Sequence, residues 1–286
     1  MVKRVYILGA GASAEAGAPM TSQLVRNLLT TELADLKFHS HNDLTVGRHF
    51  WNFLRAFVQN DQWTKNASLD PYNAEDLLNL TYTAELSGLR FPAPVSGLFV
   101  DAEWVRRMLG WAILMLLESK IAETLPASYG SFARALHPGD SIITLNYDVT
   151  VETSLLNLRG TFDYALPRGA CVVDWPGVDV LSGTKVLKLH GSMNWMRCFP
   201  SEDGQQACGR VFVRPLTKIY SYGGDTFEIC SCGQGSLDAL IVPPAHVKAF
   251  GGTLLERVWR VAAGELRCAV ELFVIGYSLP RAAMSL

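Results

Sequence analysis

Lys3 to Leu8 is a short, mostly apolar run that ends abruptly in Gly9-Ala10-Gly11-Ala12-Ser13. Such a run reads as a strand buried on both faces of a parallel sheet, with a glycine turn at its tip leading into a helix. That demands an α/β architecture, and more parallel strands must follow along the chain. Ser141-Ile142-Ile143-Thr144-Leu145 is one, followed by Asn146-Tyr147-Asp148 and a helix expected through Leu155. Val186-Leu187-Lys188-Leu189 is another, ending at His190-Gly191. Phe273-Val274-Ile275 is a third, ending at Gly276-Tyr277-Ser278. In open parallel sheets, ligands bind just beyond the carboxyl ends of the strands. These polar and glycine tips are therefore expected to converge on one edge.

Between the first two strands the pattern is helical. Pro19 fits the first turn of a helix that continues through Leu24, Leu28 and Leu29. From about residue 30 to 125 helical patterns recur, and no strand is expected. Phe50, Phe53, Leu54 and Phe57 make one apolar stripe; Val105, Met108, Leu109, Ala112 and Leu116 make another, and both read as core packing. The apolar run from Met108 to Leu117 is too short to span a bilayer and is flanked by Arg106, Arg107 and Glu118, so no membrane association is expected. Hydrophobic residues make up 49% and charged residues 18%, which predicts a sizeable core. A net charge of −2 with no Lys/Arg-rich run argues against nucleic acid as a partner. The opening Met1-Val2-Lys3-Arg4 runs straight into the first strand with no secretion signal, so a cytoplasmic location is expected. There, the six cysteines would serve as thiols or metal ligands rather than as a disulfide framework.

The glycine turn, Gly9-x-Gly11-x-x-Ala14, matches a relaxed dinucleotide fingerprint, in which glycines let backbone N–H groups approach a pyrophosphate. It also suits a tight strand-to-helix turn that binds nothing. A dehydrogenase would place a second strand soon afterwards, ending in a ribose-binding acid. The residues after Leu33 read Ala34-Asp35-Leu36-Lys37-Phe38-His39, which is no buried strand, so hydride transfer loses support.

Taken in order, the segments resemble a known family. Gly9-Ala10-Gly11-Ala12-Ser13 with Gly17-Ala18-Pro19 resembles the sirtuin opening motif. Thr144-Leu145-Asn146-Tyr147-Asp148 resembles the segment carrying the sirtuin Asn and Asp, His190-Gly191 follows in place, and Gly276-Tyr277-Ser278-Leu279 resembles the late ribose-side loop. With His190-Gly191-Ser192-Met193-Asn194-Trp195, the wording is similar to a divergent bacterial sirtuin-like group, over residues 5 to 279. The resemblance implies a Rossmann-like parallel sheet with a large helical insertion and a small cysteine-bearing, zinc-ribbon-like module. The expected division is a core of residues 1–29, 126–195 and 251–286, an insertion of 30–125, and a module of 196–250. The resemblance also implies NAD as ligand, with Gly9, Ala10, Gly11 and Ser13 on the phosphates, Gly276 and Ser278 on the adenosine side, and Gly17 among the cofactor-binding residues. Members of the divergent group are often NAD hydrolases of bacterial antiviral defence, working as homo-oligomers or beside an effector domain. Better-known sirtuins remove acyl groups from lysine.

The residues suit cleavage of the nicotinamide–ribose bond. The cationic nicotinamide departs neutral without a general acid, so orientation, cation stabilisation and a nucleophile remain to be supplied. Asn146 would hold the ribose hydroxyls or the attacking water, and His190, with a reference pKa near 6.5, would act as base. His190 also reads as a satisfied core histidine. Asp148 reads equally as catalytic support and as a cap on the following helix. Three departures weaken deacylation: Met20-Thr21-Ser22-Gln23 lacks an expected Arg, Leu145 stands where Gln is usual, and Ile241-Val242-Pro243-Pro244-Ala245-His246 replaces a peptide-groove segment. An NAD glycohydrolase is thus expected, with an NAD-dependent deacylase and a non-catalytic nucleotide sensor as alternatives.

Cys198, Cys208, Cys230 and Cys232 would make a tetrahedral thiolate site for structural zinc. Nine residues separate the first pair and one separates the second, where two is usual, so a degenerate module with free thiols stays open. Cys171 and Cys268 read as ordinary buried cysteines. After Gly276 a doubly wound sheet expects another covering helix, where the chain reads Pro280-Arg281-Ala282-Ala283-Met284-Ser285-Leu286.

Overall fold

The computed structural model describes residues 2–30, 51–58, 73–92, 99–173, 177–200, 207–215, 230–242 and 254–277. In chain order the strands are β1 (Arg4–Leu8), β2 (Arg90–Pro92), β3 (Phe99–Asp101), β4 (Ser141–Thr144), β5 (Cys171–Val173), β6 (Lys185–Lys188), β7 (Gly191–Pro200), β8 (Val211–Val213), β9 (Gly235–Ile241) and β10 (Glu271–Ile275). The main helices are α1 (Thr21–Thr30), α2 (Ala74–Leu86), α3 (Ala102–Lys120), α4 (Ala127–Ala135), α5 (Thr150–Arg159) and α6 (Leu254–Arg267).

β10, β1, β4 and β6 form a parallel sheet in that order. All four strands expected from the apolar runs are present. Their registers place Leu8, Thr144, Lys188 and Ile275 at one level. Gly9, Leu145, Leu189 and Gly276 therefore leave the sheet together. The ladder persists one step past the strands, with Leu145 N–H donating to Leu8 O and Leu189 N–H to Thr144 O, both at 3.1 Å. β1, β4 and β6 bury Val5, Ile142, Val186 and Leu187 completely or nearly so, as a covered parallel sheet requires. β10 is an edge, with Leu272 53% exposed and Val274 41% exposed.

The glycine turn does not open directly into a long helix. Ala10–Ala16 is a 3-10 segment, ended by Gly17 in the left-handed conformation. Pro19 precedes the helix, and α1 starts at Thr21. A Cβ on Gly17 would lie 2.4 Å from the Lys120 carbonyl, so this glycine serves the packing of the turn on the end of α3.

The helical layer packs around its own core. Leu24, Val25 and Leu28 of α1, Trp51, Phe53 and Leu54, Leu77 and Leu78 of α2, and Ile113, Leu114 and Leu116 of α3 are buried together. Both apolar stripes therefore pack as core where they are described; Phe50 lies outside the described residues. None of the described helices is long and apolar enough to cross a membrane. The expectation of no strand between residues 30 and 125 is corrected: β2 and β3 form an antiparallel hairpin. Three residues per strand are too few for a period-two signal to stand out.

β5, β8, β7 and β9 form a second sheet in that order. β7 starts directly after His190 and runs ten residues without a break. The boundary expected at residue 196 thus falls inside a strand, and the cysteine stretch grows out of the core rather than hanging from a linker.

Candidate active site and thiolate cluster

A cavity of about 290 Å³ opens at the carboxyl edge of the parallel sheet. Gly9 and Ala10 after β1, Asn146 and Asp148 after β4, His190 after β6, and Gly276 after β10 all line it. α1, α2 and α3 close the far side with Leu24, Leu78 and Leu117, and Tyr147 and Tyr277 add aromatic walls. Gly11, Ser13 and Gly17 are not among the lining residues, and Ser278 lies outside the described residues.

The glycine turn has a packing function of its own. Gly9 N–H donates to Ile275 O at 3.0 Å, Gly11 N–H to Gly276 O at 2.9 Å, and Ala12 N–H to Gly9 O at 2.9 Å. A Cβ on Gly276 would fall 2.0 Å from Ala12 N, and one on Gly9 would fall 2.7 Å from Gly276 O. The turn and the β10 tip are glycine-rich because two backbones touch there. The amides of Gly9 and Gly11 are consequently spent inside the protein. Among the described residues, the Ala10 amide at the start of the turn has no such acceptor and borders the cavity.

Asn146 is clamped to this turn. Its Nδ2 donates to Gly9 O at 2.9 Å and to Ser13 Oγ at 3.0 Å. Because Gly9 O can only accept, the amide orientation is determined, and Oδ1 is the atom left to accept from a ligand or water. The Asn146 N–H donates to Thr144 Oγ1 at 3.1 Å. Asp148 is buried, and its Oδ1 accepts from Thr150 N–H at 3.1 Å and from Thr150 Oγ1 at 2.7 Å. Asp148 thus makes an Asx-type turn onto the first helical residue, while the N-cap position itself is Val149, which carries no side-chain capping bond; the same Asp148 borders the cavity.

His190 is 6% exposed, and its ring centroid lies 6.4 Å from those of both Tyr147 and Trp259. Its carbonyl accepts from Val242 N–H at 2.8 Å, and Trp259 Nε1 donates to Leu189 O at 2.9 Å. Gly191 follows with φ 82°, and a Cβ there would lie 2.0 Å from Leu240 O. That glycine lets the chain leave β6 and enter β7 beneath the imidazole.

Sequence reasoning missed the buried polar network behind these tips. Lys188 is 0% exposed; its Nζ donates to the Asp148 carbonyl and, at 2.9 Å, to Glu152 Oε1. Tyr164 Oη bonds Glu152 Oε1 at 3.2 Å and Asn194 Oδ1 at 3.3 Å, and Ser192 Oγ donates to Asn194 Oδ1 at 2.7 Å. Burial pushes the Glu152 carboxyl up, against the pull of Lys188. The available signal was a lysine inside an otherwise apolar strand, two residues before His190. Glu75 was missed as well, because it sits on a helix far away in sequence.

The four cysteines converge. Their Sγ atoms all lie within 4.8 Å of one another, and the Cys198–Cys232 and Cys208–Cys230 pairs are each 3.7 Å apart. A tetrahedron of thiolates on zinc, at about 2.3 Å per bond, has an edge of about 3.8 Å. A disulfide would need about 2.0 Å. The set therefore fits a four-coordinate metal, whose role is structural because no position is left open. The ligands come from β7, the approach to β8 and the turn before β9. That arrangement is why single-residue spacing between Cys230 and Cys232 still closes the site. Cys230 N–H donates to Gly235 O at 2.7 Å and Gly233 N–H to Cys230 O at 2.8 Å, making the knuckle. A Cβ on Gly235 would meet Cys198 Sγ at 2.6 Å. A hydrogen bond from the Gln234 amide brings the Cys232 thiol down to about 6, while burial pushes Cys198 up to about 12. Of the other two cysteines, Cys171 is half-buried, and Cys268 is exposed rather than buried as expected. Cys268 sits just past the end of α6, on the rim of the sheet.

No family model matches the sequence, and no curated protein matches it. Solved structures do. A mutant Sir2 homologue with ADP-ribose is 16% identical, with a TM-score of 0.40, matched over 99% of this chain and 74% of its own. A Sir2 homologue in complex with NAD is 15% identical, with a TM-score of 0.41, over 99% and 72%. A Sir2 protein bound to a propionylated peptide is 15% identical, with a TM-score of 0.35, over 99% and 74%.

Proposed function

We propose that this chain is an NAD glycohydrolase, converting NAD and water to ADP-ribose, nicotinamide and a proton. One observation carries the reading: Asn146 and His190, at the tips of neighbouring parallel strands, line one cavity with the glycine turn and Gly276. The motif order shared with sirtuins supports NAD as the ligand. The pyrophosphate would lie at the Ala10 amide, the N–H at the start of the 3-10 segment not spent on a backbone acceptor among the described residues, whose partial positive charge favours an anion. Gly9, Gly11 and Gly276 would act by shaping that edge. Asn146 Oδ1 would accept a hydrogen bond from a ribose hydroxyl or from water, while its NH₂ keeps the group rigid. His190 would take the proton as water attacks C1′ of the ribose and the C–N bond to nicotinamide breaks. Asp148 would hold the loop through Thr150. Zinc on the four cysteines would supply rigidity to β7 and β9, remote from the bond being broken. The antiviral setting, an oligomer and an effector domain belong to the same reading and would make activity depend on a trigger.

Nicotinamide release from purified protein, with and without an acylated peptide, tests this. Release without peptide, lowered about 10²–10⁴-fold by His190→Ala and comparably by Asn146→Ala, is the expected result. Release that requires the peptide would make the chain a deacylase. NAD binding without release under any activating condition would make it a sensor.

A further inference from the structure

We propose that Lys188 is a positioning residue for this cavity: it acts through the Asp148 carbonyl, bracing the loop that carries Asn146 and Asp148 against the strand tip that carries His190. The brace is a matter of geometry; its effect on turnover rests on the hydrolase reading above.

The loop after β4 carries backbone groups beyond the reach of the parallel sheet. The ladder between the two tips extends to Leu189 N–H, which donates to Thr144 O at 3.1 Å. Past that point, two carbonyls of the loop are met from β6 and β7. Tyr147 O accepts from Met193 N–H at 2.9 Å, near the start of β7. Asp148 O accepts from Lys188 Nζ, at the end of β6. Buried carbonyls need donors, and at Asp148 the donor is a side chain.

That donor is itself held in one place. The Lys188 and Glu152 side chains are 0% and 1% exposed, with Nζ 2.9 Å from Oε1. Tyr164 Oη reaches Glu152 Oε1 at 3.2 Å and Asn194 Oδ1 at 3.3 Å, and Asn194 Nδ2 donates to Arg214 O at 3.3 Å. The pair is thus tied to α5, β6, β7 and the residue after β8. Stability alone is a poor reason for a charged pair there. Desolvation offsets the attraction, and an apolar pair of similar volume does as well or better. An apolar pair, however, has no donor for the Asp148 carbonyl. That third contact is the one that reaches the cavity: Asn146, Tyr147 and Asp148 line it, and so does His190, two residues beyond Lys188.

The double variant Lys188→Met/Glu152→Gln removes both charges together, so neither is left buried alone, while the Asp148 carbonyl loses its donor. Two measurements would be made well below the melting temperature: hydrogen exchange of the 145–150 segment by mass spectrometry, and nicotinamide release from NAD. The expected result is a folded protein whose segment exchanges at least about tenfold faster, reporting local opening. Its kcat should fall about 10–100-fold with KM little changed, the size expected when reacting groups are misplaced by about 1 Å. Tyr164→Phe, which loosens Glu152 and Asn194 but keeps Lys188 on Asp148, should leave both readouts near those of the parent. Should the double variant not fold, Lys188→Gln/Glu152→Gln puts the same question with a polar side chain one bond shorter than lysine. Parent-like exchange in a folded variant, equal acceleration in Tyr164→Phe, or a parent-like kcat where the parent is active overturns the proposal. A parent that releases no nicotinamide overturns the hydrolase reading alone, and exchange of the segment still decides the brace.

Discussion

At the residue scale, Asn146 shows why an amide occupies the tip of β4. Its donor end ties the loop to Gly9 and Ser13, and its acceptor end faces the cavity. Asn146→Asp preserves the shape but turns an oxygen toward the Gly9 carbonyl. Loss of that donor should cost about 1–3 kcal/mol in urea unfolding, together with nicotinamide release. An Asp variant as stable as the parent would show that the clamp is dispensable. Lys188 carries a larger stake. It is fully buried against Glu152, so Lys188→Met leaves an uncompensated acid and should destabilise by about 3–5 kcal/mol. Adding Glu152→Gln should recover part of that loss; a double variant no better than the single would place the damage in the Asp148 loop instead. Asn146 and His190 were legible because each follows a strand and precedes a turn. Lys188, Glu152 and Glu75 were not, because burial and cross-chain partners leave no local trace. The glycines were legible as glycines, but their reason was half hidden: Gly276 pressing on Gly11 and Ala12 is a contact between residues far apart in sequence.

At the element scale, the parallel strands were legible because β1, β4 and β6 read as continuous apolar runs, buried on both faces. The second sheet was not. β7 mixes Gly191, Asn194, Arg197 and Cys198 with apolar residues and shows no clean alternation, because its partners and a buried polar network set its burial. The thiolate cluster was half legible: the residues were identifiable and the spacing was misleading. Where three chain segments supply ligands, spacing within one segment constrains little. Metal analysis of the purified protein should find about one zinc per chain, lost in Cys198→Ser and in Cys230→Ser and retained in Cys171→Ser and Cys268→Ser. Chelation should lower the melting temperature of the parent, since a metal that binds only the folded chain stabilises it by mass action. A parent with no bound metal and unchanged melting in chelator would leave these thiols as packing groups. Burial supports that alternative only for Cys198 and Cys230, because Cys208 and Cys232 are exposed.

At the scale of the whole molecule, the sheet separates two kinds of chemistry. Its carboxyl edge holds the cavity, and its amino edge holds a charge lock. There Glu265 of α6 accepts from Lys3 just before β1, Ser141 at the start of β4 and Lys185 at the start of β6. One carboxylate thus ties the covering helix to three strands. Burial alone would raise its pKa, but the hydrogen bonds from Lys3, Ser141 and Lys185 overcome that and hold Glu265 down at about 2. An unfolded glutamate titrates near 4.3. Between those values the unfolded chain binds the extra proton, so stability falls as pH falls. The contribution is complete above about pH 4.3 and is lost as pH drops through about 2. Glu265→Gln should therefore be less stable than the parent at pH 7, and the gap in urea midpoint should narrow steadily below pH 4. Other groups that titrate over that range are shared by both proteins, so the difference between them isolates Glu265. A gap that stays constant down to pH 3 would mean that Glu265 contributes through packing alone, and that the lock between α6 and the sheet is not electrostatic.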